Sequence, residues 1–359
     1  MDAEQPVTVP GHPPAAGDAT AVAHPNIALV KYWGKRDERL VLPWTDSLSL
    51  TLDVFPTTTR VRLAPDAGQD TVTLDGVPLT GEPRRRVTAF LDLVRERAAL
   101  PLRAVVETRN TVPTGAGLAS SASGFAALAT AAGAAYGLGL DATGLSRLAR
   151  RGSGSAARSV FGGFALWYAG RPGHGPDPDL GSYAEPLPVP VRALDPALVV
   201  AVVDAGPKAV SSREAMRRTV ETSPLYRPWA ASSQADLTEM REALRRADLD
   251  AVGEIAERNA LGMHATMLAA RPAVRYLSAA TLTVLDAVLE LRRAGVTAYA
   301  TMDAGPNVKV LCRGADAGRV AALVRGAVGT GAVHVAGPGP GARLLGPDAR
   351  TGTGTWPDA

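Results

Sequence analysis

The chain has 359 residues, 46% of them hydrophobic and 20% charged, with a formal net charge of +3. That length exceeds one ordinary core and predicts two domains, and the near-neutral charge gives no reason to expect nucleic acid. No apolar run is long enough to cross a bilayer, and the single cysteine, Cys312, excludes an intrachain disulfide and fits a reducing, cytoplasmic setting.

Residues 1–20 carry four prolines with neither a basic nor an apolar region of the kind that leads a secreted chain, so they read as a flexible arm, as does the tail 346–359. Residues 27–30 read as a buried strand. Lys31 and Lys35 follow it around Tyr32, Trp33 and Gly34. This is either a solvated strand end or a cationic ledge for an anion, with the aromatics as its wall. Residues 42–52 form a loop opening into an alternating strand, and 57–63 and 71–74 are strands by β-branched content. An amphipathic helix spans 84–100, apolar at Val87, Phe90, Leu91 and Val94, and a strand follows at 102–108.

Residues 113–124 read Pro-Thr-Gly-Ala-Gly-Leu-Ala-Ser-Ser-Ala-Ser-Gly and feed an Ala- and Leu-rich segment, 125–136, that reads as a buried helix. A small-residue loop at a helix start aims unpaired N–H groups and the positive end of the dipole at one point, an anion site. Gly115 and Gly117 allow close approach of the backbone, and Ser120, Ser121 and Ser123 offer hydroxyls to phosphate oxygens or a bound magnesium. Neither the Walker pattern nor the dinucleotide fingerprint fits this spacing.

Asp141 starts a helix over 140–149. A second Gly-Ser cluster, 151–163, carries Arg158, which either grips a carboxylate or phosphate through two parallel bonds or pairs with a loop carbonyl. The proline-rich 171–191 is the expected crossing between domains. A strand at 197–203 opens the second half, and Ser211 or Ser212 caps a helix with Arg213 in its first turn. A cation there opposes the helix dipole and points to a bound anion. Helices are expected at 234–247, 249–270 and 274–294, the last stopped by Gly295, with His264 read as a packed residue. Strands 297–302 and 307–312 form a hairpin around Asp303, and a helix at 315–325 and a strand at 332–335 complete an α+β unit. Asp303 in its Gly-Pro turn is either a turn former or the carboxylate with which a kinase-like site orients or deprotonates a hydroxyl.

In order and register, six stretches resemble the mevalonate diphosphate decarboxylases, a branch of the GHMP superfamily. They are Asn-Ile-Ala-Leu-Val-Lys-Tyr-Trp-Gly-Lys-Arg-Asp at 26–37, the loop and helix start at 117–128, Gly-Ser-Gly-Ser-Ala-Ala-Arg-Ser-Val-Phe-Gly-Gly at 152–163, and Val-Ser-Ser-Arg at 210–213. Met-His-Ala-Thr at 263–266 and Asp-Ala-Gly-Pro-Asn at 303–307 complete the set. The resemblance implies an α+β GHMP-kinase fold, with a ribosomal-protein-S5-like domain over 21–190, a ferredoxin-like domain over 191–345 and the site between them. It implies ATP and Mg2+, a homodimer, and conversion of (R)-mevalonate 5-diphosphate to isopentenyl diphosphate with release of ADP, phosphate and CO2. By the same resemblance Asp303 orients or deprotonates the 3-hydroxyl, Arg158 holds the substrate carboxylate, and Lys31 lies near Asp303 and the transferred phosphate. Tyr32, Lys35, Ser153, Gly154 and Arg213 bind the diphosphate, with Ser212 close by. Pro113, Gly115, Gly117, Leu118, Ala119, Ser120, Ser121 and Ser123 cradle ATP, with Ser120 the magnesium ligand. The alternatives are a decarboxylase of mevalonate 5-phosphate, a 3-kinase that does not decarboxylate, and a catalytically silent metabolite sensor. The Pro-Trp-Thr-Asp stretch at 43–46 and the proline-rich arm depart from the eukaryotic pattern.

Overall fold

The computed structural model describes residues 17–111, 120–170, 177–204, 206, 209–329 and 332–346. The expected arm and tail therefore fall largely outside the described residues, as does the Pro113–Ala119 part of the phosphate loop. The first strand, Asp18–Ala23, begins inside the stretch expected to be an arm.

Ten α-helices lie among the described residues: α1 Gly81–Ala98, α2 Ser120–Ala135, α3 Ala142–Gly152, α4 Ala156–Ser159, α5 Val191–Leu194, α6 Ser212–Thr222, α7 Tyr226–Arg245, α8 Leu249–Leu268, α9 Ala279–Arg293 and α10 Ala317–Val328. None is long and apolar enough to cross a membrane. A six-stranded sheet runs in the order Arg343–Leu345, Asp18–Ala23, Thr57–Ala64, Arg103–Asn110, Thr71–Leu74, Val77–Pro78. A four-stranded sheet of Ala184–Pro186, Phe164–Trp167, Ser47–Thr51 and Asn26–Val30 lies beside it. The second half holds Ala298–Met302, Val308–Arg313, Pro196–Ala201 and Val333–Ala336, paired antiparallel in that order. With α9 and α10 between its strands in the chain, that sheet has the β-α-β-β-α-β order of a ferredoxin-like unit.

Helix α2 packs on the six-stranded sheet with alanines at 126, 127, 129, 131 and 132 wholly buried beside Phe90, Leu91, Val61 and Val106. Alanine has the highest helix propensity and the smallest side chain that still packs, so the helix can press close to the sheet along its length. A second core crosses the two halves. Ile27, Leu29, Leu48 and Leu50 of the four-stranded sheet meet Leu198, Val200, Leu237, Met240 and Leu244. Each such side chain stabilises the fold by about 1.5–3 kcal/mol when removed from water, so the halves are held in one arrangement.

Three boundaries differ from the sequence reading. Strand Arg343–Leu345 pairs with Asp18–Ala23, so the chain returns to the first sheet instead of ending in the second unit. Helix α7 starts at Tyr226, eight residues before the expected 234. Pro228 sits in its first turn, where the missing N–H has no intrahelical partner to lose, and Tyr226 and Trp229 are buried. Helix α9 begins at Ala279, because Ser278 and Thr281 cap each other reciprocally there. The proline-rich crossing also contributes a strand, Ala184–Pro186, to the four-stranded sheet.

Candidate active site

Asp303 leaves the end of strand Ala298–Met302 in the turn that leads to Val308–Arg313. Thr281 of α9 holds that turn by donating its hydroxyl to the Pro306 carbonyl at 2.7 Å. Lys31 leaves the strand Asn26–Val30 in the other half and donates to Asp303 Oδ1 at 2.9 Å and to the Ala28 carbonyl at 2.8 Å. Its own backbone N–H donates to Asn259 Oδ1 of α8 at 2.8 Å. Lys309 Nζ stands 3.4 Å from Asp303 Oδ2. The Asp303 carboxylate thus lies between two ammonium groups that are each 1% exposed.

The electrostatics follow. Burial alone would push the Asp303 carboxyl up, but Lys31 and Lys309 more than offset it and hold it well below the usual carboxylate range. Burial pulls the Lys31 ammonium down, and Asp303 opposes that shift. Asp303 is therefore an ionised acceptor at any working pH, suited to orienting a hydroxyl.

Arg158, in α4, is 2% exposed. It donates Nη1 to Ser47 Oγ at 2.6 Å, and Nε and Nη2 to Asn26 Oδ1 at 3.3 Å each. Trp167 lies 5.6 Å from its guanidinium carbon. A guanidinium has five N–H donors, so these three bonds leave one on each terminal nitrogen for a ligand such as a carboxylate. Burial pushes Arg158 down to about 10, with Asp303 acting in the other direction. Asn26 completes its own set by donating to Ser155 O at 3.0 Å and Ser159 Oγ at 2.7 Å.

Asn26, Lys31, Arg158 and Asp303 line a single cavity of about 1050 Å³. Tyr32, Lys35, Ser153, Gly154, Ser212 and Arg213 line it as well. Gly152 and Gly154 of the second cluster allow side chains to come close. A Cβ on Gly154 would stand 2.8 Å from both Trp167 and Tyr32, and one on Gly152 would stand 2.0 Å from Phe125. Tyr32 stacks edge-on against Trp167 with centroids 4.6 Å apart, and its buried hydroxyl has no partner among the described residues. Ser211 caps α6 by accepting from Glu214 N–H at 3.2 Å, which leaves Ser212 and Arg213 facing the cavity.

Ser120 and Ser121 open α2 on the same cavity, and Ser121 Oγ is 3.2 Å from Ser153 Oγ. Ser123 does not share that position. It is wholly buried one turn later, with its hydroxyl 2.7 Å from Thr57 Oγ1, so it ties the helix to the sheet instead of facing a nucleotide. Leu74, Asp75 and Asn110 line the cavity too. No group of three or more His, Cys, Asp or Glu that could hold a metal lies among the described residues. A magnesium ion here would rely on phosphate oxygens with a hydroxyl such as that of Ser120, which suits the oxygen-only, partly hydrated coordination of that ion.

Reading the sequence alone missed Asn26 and Ser47, which shape Arg158, and Arg86, Arg151, Glu38 and Lys309. Lys309 carried a signal, a lysine inside the apolar run Val308–Cys312. Asn26 opens the 26–37 stretch and Arg151 the second Gly-Ser cluster, whereas Ser47, Arg86 and Glu38 carried no signal, because only the packing of distant strands and helices brings them to the site. His264 is the packed residue expected, 2% exposed in α8 and against the Asp303 backbone.

Such a cavity suits a small polyanion presented to a nucleotide, and with the ferredoxin-like second unit it places the protein in the GHMP kinase fold class. Residues 23–177 match the model of the diphosphomevalonate decarboxylase-like N-terminal domain, and 198–334 that of the mevalonate 5-diphosphate decarboxylase C-terminal domain. The chain is 37% identical to a diphosphomevalonate decarboxylase of Ganoderma lucidum over 81% of its own length and 77% of the relative's. It is 34% identical to a phosphomevalonate decarboxylase of Haloferax volcanii over 81% and 87%. A solved complex of MDDEF with MVAPP, AMPPCP and magnesium superposes with a TM-score of 0.86 at 44% identity, over 92% of this chain and 99% of that one. The chain belongs to the diphosphomevalonate decarboxylase family.

Proposed function

We propose that the protein converts (R)-mevalonate 5-diphosphate and ATP to isopentenyl diphosphate, ADP, phosphate and CO2. The observation that carries this reading is the pair of unused Arg158 donors beside an ionised, lysine-clamped Asp303 in one cavity. Asp303 accepts the hydrogen bond of the tertiary 3-hydroxyl and aims its oxygen at the γ-phosphorus. An O–P bond forms there as the bond to ADP breaks, and the hydroxyl proton passes through the Asp303 carboxylate to water. Magnesium on the triphosphate supplies neutralisation of the charge that develops. Lys31 and the amides at the start of α2 hold the transferred group. The new phosphate then leaves with the C–O electron pair. Arg158 keeps the carboxylate aligned so that the C–C electrons form the alkene as CO2 departs.

The cationic lining of the cavity favours a diphosphate over a monophosphate. Lys35, Arg86, Arg151 and Arg213 all line it, as does Tyr32, more cations than one phosphate would occupy. The relative from Haloferax volcanii makes the monophosphate the reading to exclude. A homodimer in the cytoplasm belongs to the same proposal; a buried, free Cys312 suits a reducing compartment, and light scattering reads the assembly.

The test is a mass-resolved product assay with ATP, magnesium and, in parallel, mevalonate, its 5-phosphate and its 5-diphosphate. CO2 and isopentenyl diphosphate from the diphosphate alone are expected. Turnover of the monophosphate assigns the second reading, a stable 3-phosphate makes the protein a kinase, and no turnover with ATP bound makes it a sensor.

A further inference from the structure

We propose that Lys309 is a positioning residue of this reaction: it anchors the second oxygen of Asp303 so that Lys31 is free to turn a donor toward the transferred phosphoryl group. This rests on the reaction proposed above.

Lys309 lies within Val308–Arg313, a strand paired on both sides and buried at every position from Val308 to Cys312. An unpaired charge there is strongly disfavoured, so a lysine at such a position needs a partner. Sheet register supplies one. Lys309 stands opposite Thr301, and Asp303 is two residues further along that strand's path. Side chains two apart share a face, so both point to the end of the hairpin that meets Lys31. The ammonium comes within 3.4 Å of Asp303 Oδ2 while Lys31 holds Oδ1.

An ammonium has three donors. Lys31 spends two on Ala28 O and Asp303 Oδ1, which leaves one. Were Lys31 the sole cation on the carboxylate, turning it toward an incoming phosphoryl oxygen would release Asp303 from its pose. With Lys309 on the other oxygen, the carboxylate stays aimed while Lys31 moves. The charges agree. Lys31, Lys309 and Arg158 against Asp303 leave a net charge of +2, which a substrate carboxylate and one transferring phosphoryl charge would neutralise. His264, the remaining titratable group packed there, is held neutral by burial.

The experiment compares full-length wild type, Lys309→Met and Lys309→Arg with ATP, magnesium and mevalonate 5-diphosphate, measuring kcat, both KM values, binding of a non-hydrolysable ATP analogue, and Tm. Methionine keeps the volume and removes the charge. The expected result for Lys309→Met is a kcat lowered about 30- to 100-fold, with KM values and analogue binding within about threefold and Tm unchanged or raised, since a buried charge has gone. Lys309→Arg, which keeps a cation, should recover about tenfold of that loss. Should Lys309→Met lower Tm, Lys309→Arg carries the test: folded protein with a wild-type Tm and a kcat reduced less than tenfold supports the role. A kcat within threefold of wild type in both variants, or a loss carried wholly by KM, overturns the role while leaving the reaction standing. Absence of turnover by wild type overturns the reaction and this role together.

Discussion

Acid should unfold this protein partly through one imidazole. His264 is 2% exposed on α8, against the Asp303 backbone, and its Nε2 has no partner among the described residues. Burial, aided by the charge on Lys31, pushes its pKa down from 6.5 to about 4. In the unfolded chain the ring titrates at its ordinary value, so as pH falls the unfolded state takes up the proton first. The contribution to stability is complete above pH 6.5 and is lost progressively as pH falls toward 4. At about 1.4 kcal/mol per unit the whole window is worth about 3 kcal/mol, of which about 2 kcal/mol is lost by about pH 5. Urea unfolding of wild type and His264→Asn at about pH 7.5 and pH 5 measures it. Asparagine keeps a donor for the Asp303 backbone and cannot be protonated. Wild type should lose about 2 kcal/mol more than the variant between the two pH values. Parallel losses, or a variant more sensitive to acid than wild type, would refute the reasoning.

Two further outcomes follow from the cavity. Arg158→Lys should lower kcat/KM for the diphosphate roughly a hundredfold, because a single ammonium cannot keep Ser47 and Asn26 bonded and still grip a carboxylate with two donors; a kinetically silent variant would remove Arg158 from the substrate carboxylate. Glu38 holds Lys35 at 2.5 Å from a half-exposed position on the cavity rim, where it competes with an incoming diphosphate. Glu38→Gln should therefore lower the substrate KM by up to about fivefold with kcat unchanged, the scale of a solvent-screened ion pair, and an unchanged or raised KM in steady-state assays counts against that competition.

How far the site was legible depended on how local its physics is. The start of α2 could be read because small residues and hydroxyls gather within one stretch of chain, and a cap at Ser211 or Ser212 for the same reason, of which the structure uses Ser211. Ser123 was misassigned although it lies in that stretch, since which side of a helix meets the sheet is settled by Thr57, far away in sequence. The hairpin around Asp303 followed from its apolar strands and Gly-Pro turn. The early start of α7 did not, because its first turn is held by burial of Tyr226 and Trp229 against Trp33 and Met263, a tertiary effect that propensity does not contain.

The sequence by itself determined the two-unit α+β class, the hydroxyl-rich start of α2, and the residue types that line the cavity, for each of these is written in periodicity, turn chemistry or a run of adjacent residues. Tertiary structure alone decided that Lys31 and Asp303, 272 positions apart, form an ion pair, that Asn26 and Ser47 leave Arg158 two donors, and that Arg343–Leu345 closes the first sheet. The reason is physical: a buried charge takes its meaning from what is packed against it, and the shared core of the two halves, built from Ile27, Leu50, Leu198 and Met240, sets those neighbours.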